Sequence, residues 1–446
     1  MTGNEILGLT MMLAMISIIF IGFPIAFTLL FIALVFGSIG LGTNQTFSLA
    51  YLQIWGTMKD DILPAVPLFI FMGFMTEQAG LMERLFIAMR NLLAPLRGSL
   101  YLAVILTATI FAMATGIVGA AVTVLGIMAG PVMMRAGYDP KLSAGAIAAG
   151  GTLGILIPPS VMLVVMGPVL GVPVNILYSA ALGPGLLLAG LYIIYCLVRS
   201  AINPALGPPV PKHERVTDLV ELAKEFVIGV LPLAALIGFT LGTIVAGMAT
   251  PTEAASCGAF GATLLALVYG KLTFQALKNA ALATMITSSM VLFLAVASNV
   301  FGAVFTQLGT TDLITNTLIQ IPLPDVGKLM LVMALIFVLG WPFEWPAIIL
   351  VFLPIFLPVV QKLDLGMEKM DMLIWFGALV AVNLQTAFLS PPVAMSAYYL
   401  KNVMPSWSLS TIYRGMGQFM VIQVFCLLLI IFWPDVVLWL PRLLRD

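Results

Sequence analysis

The sequence predicts an all-α integral membrane protein, and three observations carry that prediction. Of 446 residues, 61% are hydrophobic and only 9% charged, against roughly 45–50% and about 25% in soluble domains. Long windows at 6–41, 146–171, 226–248 and 420–433 hold few or no charges, and a spanning helix needs about 20 largely apolar residues. The alternating pattern of a membrane barrel is absent, so helices, which satisfy their own backbone groups where lipid offers no water, are the spanning element. The 19 basic and 19 acidic residues balance, so no basic field points to nucleic acid. Cys196, Cys257 and Cys426 lie in apolar windows without metal-ligand spacing and read as packing residues.

The length rule gives about ten spans, near 6–22, 24–41, 62–82, 142–170, 176–198, 226–248, 252–270, 280–308, 371–400 and 412–433. The first is read as a retained span, because Met1–Glu5 hold no Lys or Arg and no small-residue cleavage site follows. Two stretches, 100–134 and 328–361, are too long for one crossing. Each is interrupted midway, at Ala114-Thr115-Gly116-Ile117-Val118-Gly119 and at Gly340-Trp341-Pro342-Phe343-Glu344-Trp345-Pro346. An apolar stretch that turns at membrane depth reads as a re-entrant hairpin, allowed where protein or a wet cavity surrounds the turn.

The two halves match. Pro67-Leu68-Phe69 precedes Gly80-Leu81 as Asn299-Val300-Phe301 precedes Gly309. GTLGILIPPSV at 151–161 finds its partner in NLQTAFLSPPV at 383–393. The order helix, hairpin, broken helix therefore occurs twice. Arg84, Arg90, Arg97, Arg135 and Lys141 flank the first hairpin, so the positive-inside rule puts its base in the cytoplasm, together with the basic loop 199–224. Counting crossings puts the second hairpin's base outside, against Lys328, Lys362 and Lys369, and makes the halves inverted copies. Inverted repeats with discontinuous helices at the midplane mark secondary transporters.

The chemistry follows from the breaks. Proline removes an N–H and clashes with the preceding turn, so Pro158-Pro159 should interrupt the span near its middle. One Pro-Pro alone would more often be a kink, but its recurrence at Pro391-Pro392 beside a second hairpin favours a site. Freed carbonyls suit a small hard cation and a half-helix N-terminus suits an anion. Thr152, Ser160, Thr386 and Ser390 add hydroxyls, Asn383 and Gln385 add amides, and the site reads as built for Na+ with an anionic solute. Glu344 and Glu253 are the acids placed deepest; Glu253, three residues after Thr250, has a structural alternative as a first-turn acid behind a Thr cap. Thr115 and Thr123 alone would be packing hydroxyls. The methionines and phenylalanines read as lipid-facing or packing residues.

These motifs together, with Gly73, Gly137-Tyr138-Asp139-Pro140 and Thr250-Pro251-Thr252-Glu253-Ala254-Ala255, run through nearly the whole chain. The sequence resembles the large membrane (M) subunit of a tripartite ATP-independent periplasmic (TRAP) transporter. The resemblance implies an elevator-type Na+ symporter for organic acids in the bacterial inner membrane. It also implies two partners, a small membrane (Q) subunit and a periplasmic solute-binding protein. By that resemblance the first cation site joins Thr115 and Gly116 to Gly151 and Thr152, and the second joins Gly340 to Asn383, Gln385 and Thr386. Solute would lie between the hairpins, with Thr123, Pro159, Ser160, Glu344, Ser390 and Pro392 as candidate contacts. Relatives with a serine-rich first tip differ from this chain, where Thr115 is the one tip hydroxyl.

The expected division is 1–61 scaffold, 62–170 first transport repeat, 171–279 scaffold helices and cytoplasmic loop, 280–400 second transport repeat, and 401–446 C-terminal scaffold helix. Other classes fit less well. An intramembrane enzyme needs a nucleophile with a base or metal, and the sole histidine, His213, lies in the polar loop. A primary pump needs a phosphate-binding loop, which is missing. A stand-alone Na+/carboxylate elevator and a channel stay open as alternatives.

Overall fold

The computed structural model of the chain describes residues 2–210, 215–216, 218–391 and 394–445; His213 lies outside them. Among the described residues every regular element is helical, as the composition predicts, and eight helices are long and apolar enough to cross a membrane, or up to ten if each of two bent pairs is one span.

The chain opens with α1 (Gly3–Ile21), α2 (Ile25–Gly40) and α3 (Thr43–Met58). Thr2 and Glu5 form a capping box that starts α1. α3 was not expected: its polar start, Thr43-Asn44-Gln45-Thr46, hides the helix from a hydropathy window. α2 is 16 residues long, shorter than the span anticipated at 24–41.

The first repeat follows. α4 (Ala65–Gln78) and α5 (Leu81–Leu93) meet at 60° across Gly80, whose φ of +68° is open to glycine with little strain. The first hairpin consists of α6 (Ser99–Thr115) and α7 (Val118–Arg135), and the broken span of α8 (Pro140–Leu156) and α9 (Val161–Leu170), bent by 44°. Asp139 caps α8 by accepting from Leu142 N at 2.8 Å, with Pro140 in the first turn.

Three long helices then cross: α10 (Val174–Ile202), α11 (Leu219–Val245) and α12 (Pro251–Val268). The second repeat repeats the first element for element. α13 (Phe274–Gln307) meets α14 (Thr310–Ile319) at Gly309, φ +81°, the counterpart of Gly80. The second hairpin runs down α15 (Asp325–Leu339), turns, and returns through α16 (Trp345–Ala347), a π-helical stretch Ile348–Phe352 and α17 (Leu353–Val360). The second broken helix is α18 (Lys369–Leu389) and α19 (Met395–Val403). α20 (Leu409–Phe432) and an amphipathic α21 (Asp435–Arg445) close the chain, α21 tied to α18 by Arg442 Nε to Asp371 Oδ2 at 2.9 Å.

Burial separates the helices by role. Every residue of α8 from Leu142 to Leu156 and of α18 from Asp371 to Leu389 is buried, whereas only 17% of the apolar window of α1 is. The two helices that carry the polar motifs are thus enclosed by protein, where their side-chain amides and hydroxyls escape lipid. Packing forms two groups bridged by α5, which lies against α11 and α6: α4 lies against α12 and α13, and α13 against α2 and α3, while α8 lies against α6, α7 and α20, and α18 against α10 and α20.

Candidate functional site

Hairpin 1 seats on a glycine face of α8. A Cβ on Gly150 would come 3.1 Å from the Ala108 Cβ in α6, and one on Gly151 would collide with Val122 in α7. The hairpin tip reaches the break: Gly116, at φ +61°, would place a Cβ 3.4 Å from Pro159 O, 3.6 Å from Val161 N and 3.7 Å from Gly154 O. This brings Gly116, Gly154 and Pro159 into one neighbourhood, with backbone carbonyls of Gly154 and Pro159 facing the tip, while Gly151 lies against Val122 farther along the hairpin. Thr152, fully buried, donates to Ala149 O at 2.8 Å within its own helix, and Ser160 donates to Ile155 O. Ser160 therefore does not cap α9, and its carbonyl receives the Tyr178 hydroxyl at 3.3 Å. The Thr115 side chain lies outside the described residues.

The second half builds the same junction from different residues. Gly340 closes α15 against α18, where a Cβ would come 3.2 Å from the Ala387 Cβ. Asn383 Nδ2 donates to Met333 O in α15 at 2.8 Å, and Thr386 Oγ1 donates to Asn383 O at 2.6 Å. Asn383 Oδ1, both amide atoms of Gln385 and Ser390 Oγ are buried without a partner among the described residues. A buried polar atom left unpaired costs about 1–3 kcal/mol, so a cluster of them in one stretch is the mark of a ligand site or of strain. Pro392 lies outside the described residues.

Neutral oxygens and carbonyls dominate both junctions, and among the described residues no group of three His, Cys, Asp or Glu side chains could hold a metal ion. Such a donor set fits a hard, singly charged cation such as Na+ and disfavours a transition metal.

The two repeats interlock. Gly119 of hairpin 1 packs on the Tyr399 ring of α19, which a Cβ there would approach to 3.0 Å, and α9 packs on the Ile348–Phe352 stretch of hairpin 2. Between them lies a cavity of about 120 Å³. Its walls are Gly116, Val118, Ile155 and Val161 from the first half, Glu344, Trp345, Phe388, Met395 and Tyr399 from the second, and Thr287 and Met290 of α13. Glu344 is the one charged side chain among these, and no Lys or Arg among the described residues lines the cavity.

Of the anticipated solute contacts, Glu344 lines this cavity; Thr123, Pro159, Ser160 and Ser390 are not among its walls. Trp345, Phe388, Tyr399 and Thr287 were missed. Aromatic residues in so apolar a sequence carry no signal of their own, although Trp345 lies inside one flagged break and Tyr399 seven residues past Pro392. Glu253 is resolved as structural: its Oε2 accepts from Thr250 N and Thr250 Oγ1, each at 2.9 Å, in an exposed capping box that starts α12. Thr252 Oγ1 adds a bond to Asp61 O at 2.9 Å.

Duplicated hairpins meeting duplicated breaks are a transporter's geometry, and comparison with known proteins agrees. Residues 11–436 match the model of the family described as Tripartite ATP-independent periplasmic transporter, DctM component. The chain belongs to this family. The TRAP large permease chain is similar to the sialic acid TRAP transporter large permease protein SiaM of Vibrio cholerae, 28% identical over 431 residues, covering 96% of this chain and 97% of that one. It is also similar to the C4-dicarboxylate TRAP transporter large permease protein DctM of Pseudomonas aeruginosa, 30% identical over 394 residues and 88% of each. Among solved structures the Alcanivorax borkumensis YdaH transporter shares the fold, with a TM-score of 0.63 at 16% identity over 88% of this chain and 89% of that one. Membership makes the chain a multi-pass integral protein of the bacterial inner membrane and a component of a transporter, not of an enzyme class.

Proposed function

We propose that this TRAP large permease carries a small organic acid inward by Na+ symport, working with a small membrane subunit and receiving solute from a periplasmic binding protein. The supporting observation is the charge of the cavity between the hairpin tips: among the described residues it has Glu344 and no basic side chain. An anion placed there needs positive charge from elsewhere, and a cation at each tip-to-break junction would supply it. Solute and Na+ then bind with reciprocal coupling, each raising the other's affinity by the same factor.

The first site would use the carbonyls around Gly116 with Gly151 and Thr152; the second would use Gly340 with Asn383, Gln385 and Thr386. The moving body in this reading holds both hairpins with α8–α10 and α18–α20, because these pack on one another, while α1–α4 and α11–α13 stay fixed. That assigns α10 and α20 to the moving body and α4 and α13 to the fixed one, a different division from the one drawn on sequence.

The test is uptake by proteoliposomes holding the assembled complex. An inward Na+ gradient and the binding protein should both be required. Equal uptake driven by K+ would reject the coupling, and full uptake without the binding protein would favour a carrier that acts alone.

A further inference from the structure

One face of α13 connects the tip cavity to a second hollow. Thr287 and Val291 line the cavity between the hairpins; Ala295 and Asn299 continue the same i, i+4 row. Asn299 and Gln53 border two adjoining hollows of about 330 and 200 Å³, which share Leu350 as well. The walls come from both bodies: α3 and α13 on one side, α9 and the return arm of hairpin 2 on the other. Asn299 Nδ2 donates to Thr57 Oγ1 at 2.8 Å and holds α13 against α3. Ser298, 1% exposed, borders the larger hollow with its hydroxyl unpartnered among the described residues.

The hollows open on a definite face. The broken span α8–α9, then α10, α11, α12 and α13, make five crossings between the base of hairpin 1 and that of hairpin 2. An odd number sets the two bases on opposite faces, and Arg135 and Lys141 mark the first as the basic, cytoplasmic one. The hollows border the C-terminal end of α13, on the other face. Amide and hydroxyl walls at this depth, with the Asp60 carboxylate on the smaller hollow, suit a water-filled passage and not lipid.

We propose that the two hollows form one solute vestibule on the face opposite the basic loops, leading along the Asn299–Ala295–Val291–Thr287 row to the cavity between the hairpin tips. Gln53 and Asn299 offer its amide donors to a passing carboxylate. Neutral donors orient an anion without trapping it, and Asp60, whose Oδ1 accepts from Ile62 N at 2.8 Å, is the one charged wall of these hollows among the described residues. From Asn299 to Val291, eight residues, the row is roughly 12 Å long at 1.5 Å per residue. This inference rests on the organic-acid uptake reading above.

The experiment takes the assembled complex in proteoliposomes and the carboxylate, from a panel of dicarboxylates and sugar acids, that the wild-type complex accumulates. Gln53→Lys and Gln53→Glu are compared with Gln53→Asn at subsaturating solute. The Lys variant should lower KM and the Glu variant raise it, each severalfold, with kcat little changed and the difference shrinking at high salt as charge is screened. Ala295→Trp should abolish uptake while Na+ still raises the melting temperature, which shows that the protein is folded. Equal KM for the two charge variants, or wild-type uptake by Ala295→Trp, overturns the vestibule and leaves the transport reading standing. A wild-type complex that accumulates no carboxylate overturns both.

Discussion

Asn383 in α18 donates its amide Nδ2 to Met333 O in α15 at 2.8 Å, while its Oδ1 has no partner among the described residues. One side chain thus ties the broken helix to hairpin 2 and offers an oxygen at the junction. Asn383→Ala removes both, and should cost about 1 kcal/mol of stability for the lost bond together with a weaker response to Na+. Asn383→Leu should match the stability loss. Thermal unfolding across a Na+ titration separates the two effects; an unchanged Na+ response would confine Asn383 to holding the hairpin.

Gln385 separates function from folding more sharply. Both its amide atoms are buried and have no partner among the described residues, so Gln385→Leu removes an uncompensated desolvation cost of about 1–3 kcal/mol. Without Na+ the variant should be as stable as the wild type or more so. With Na+ at 100 times its dissociation constant the wild type gains about 2.7 kcal/mol by mass action, and the variant should gain measurably less. Identical Na+-dependent melting shifts would remove Gln385 from the cation site.

Glycine substitutions should rank by what the new Cβ meets. Gly116→Ala forces a left-handed residue against the break, a cost of about 1–2 kcal/mol from backbone strain alone. Gly151→Val drives into Val122 and should cost about 1–3 kcal/mol by overpacking. Gly417→Ala in α20 meets nothing within 4 Å among the described residues and should be neutral or stabilising by up to about 1 kcal/mol. Melting temperatures in detergent test the order, and a Gly417 variant less stable than the Gly151 variant would contradict the packing described here.

Glu344→Gln neutralises the one charged wall of the tip cavity among the described residues. Apparent Na+ affinity in uptake should fall about tenfold, equivalent to about 1.4 kcal/mol, with the melting temperature nearly unchanged. Wild-type kinetics would make the carboxylate a bystander.

The hairpins and the broken helices were legible in the sequence because membrane depth penalises every interruption. An apolar run containing Gly116 or Pro158-Pro159 has few structural explanations, and the repetition at Gly340 and Pro391 leaves fewer. α3 and α14 were not legible. Their short, partly polar sequences lack the length and uniform hydropathy that mark a span, and Gly309, which turns α13 into α14, was noticed only as a counterpart of Gly80.

By itself the sequence determined the membrane solvent, the helical class, the doubled order of elements and which backbone positions could not continue a helix. All of these are local consequences of composition and of the stereochemistry of glycine and proline. The tertiary structure alone decided which side chains meet: that Tyr399 of the second half packs on Gly119 of the first, that Glu344 faces the shared cavity, and that Glu253 serves a helix start. Those outcomes depend on how two repeats interlock, and contacts between residues hundreds of positions apart leave no periodic trace along a single chain.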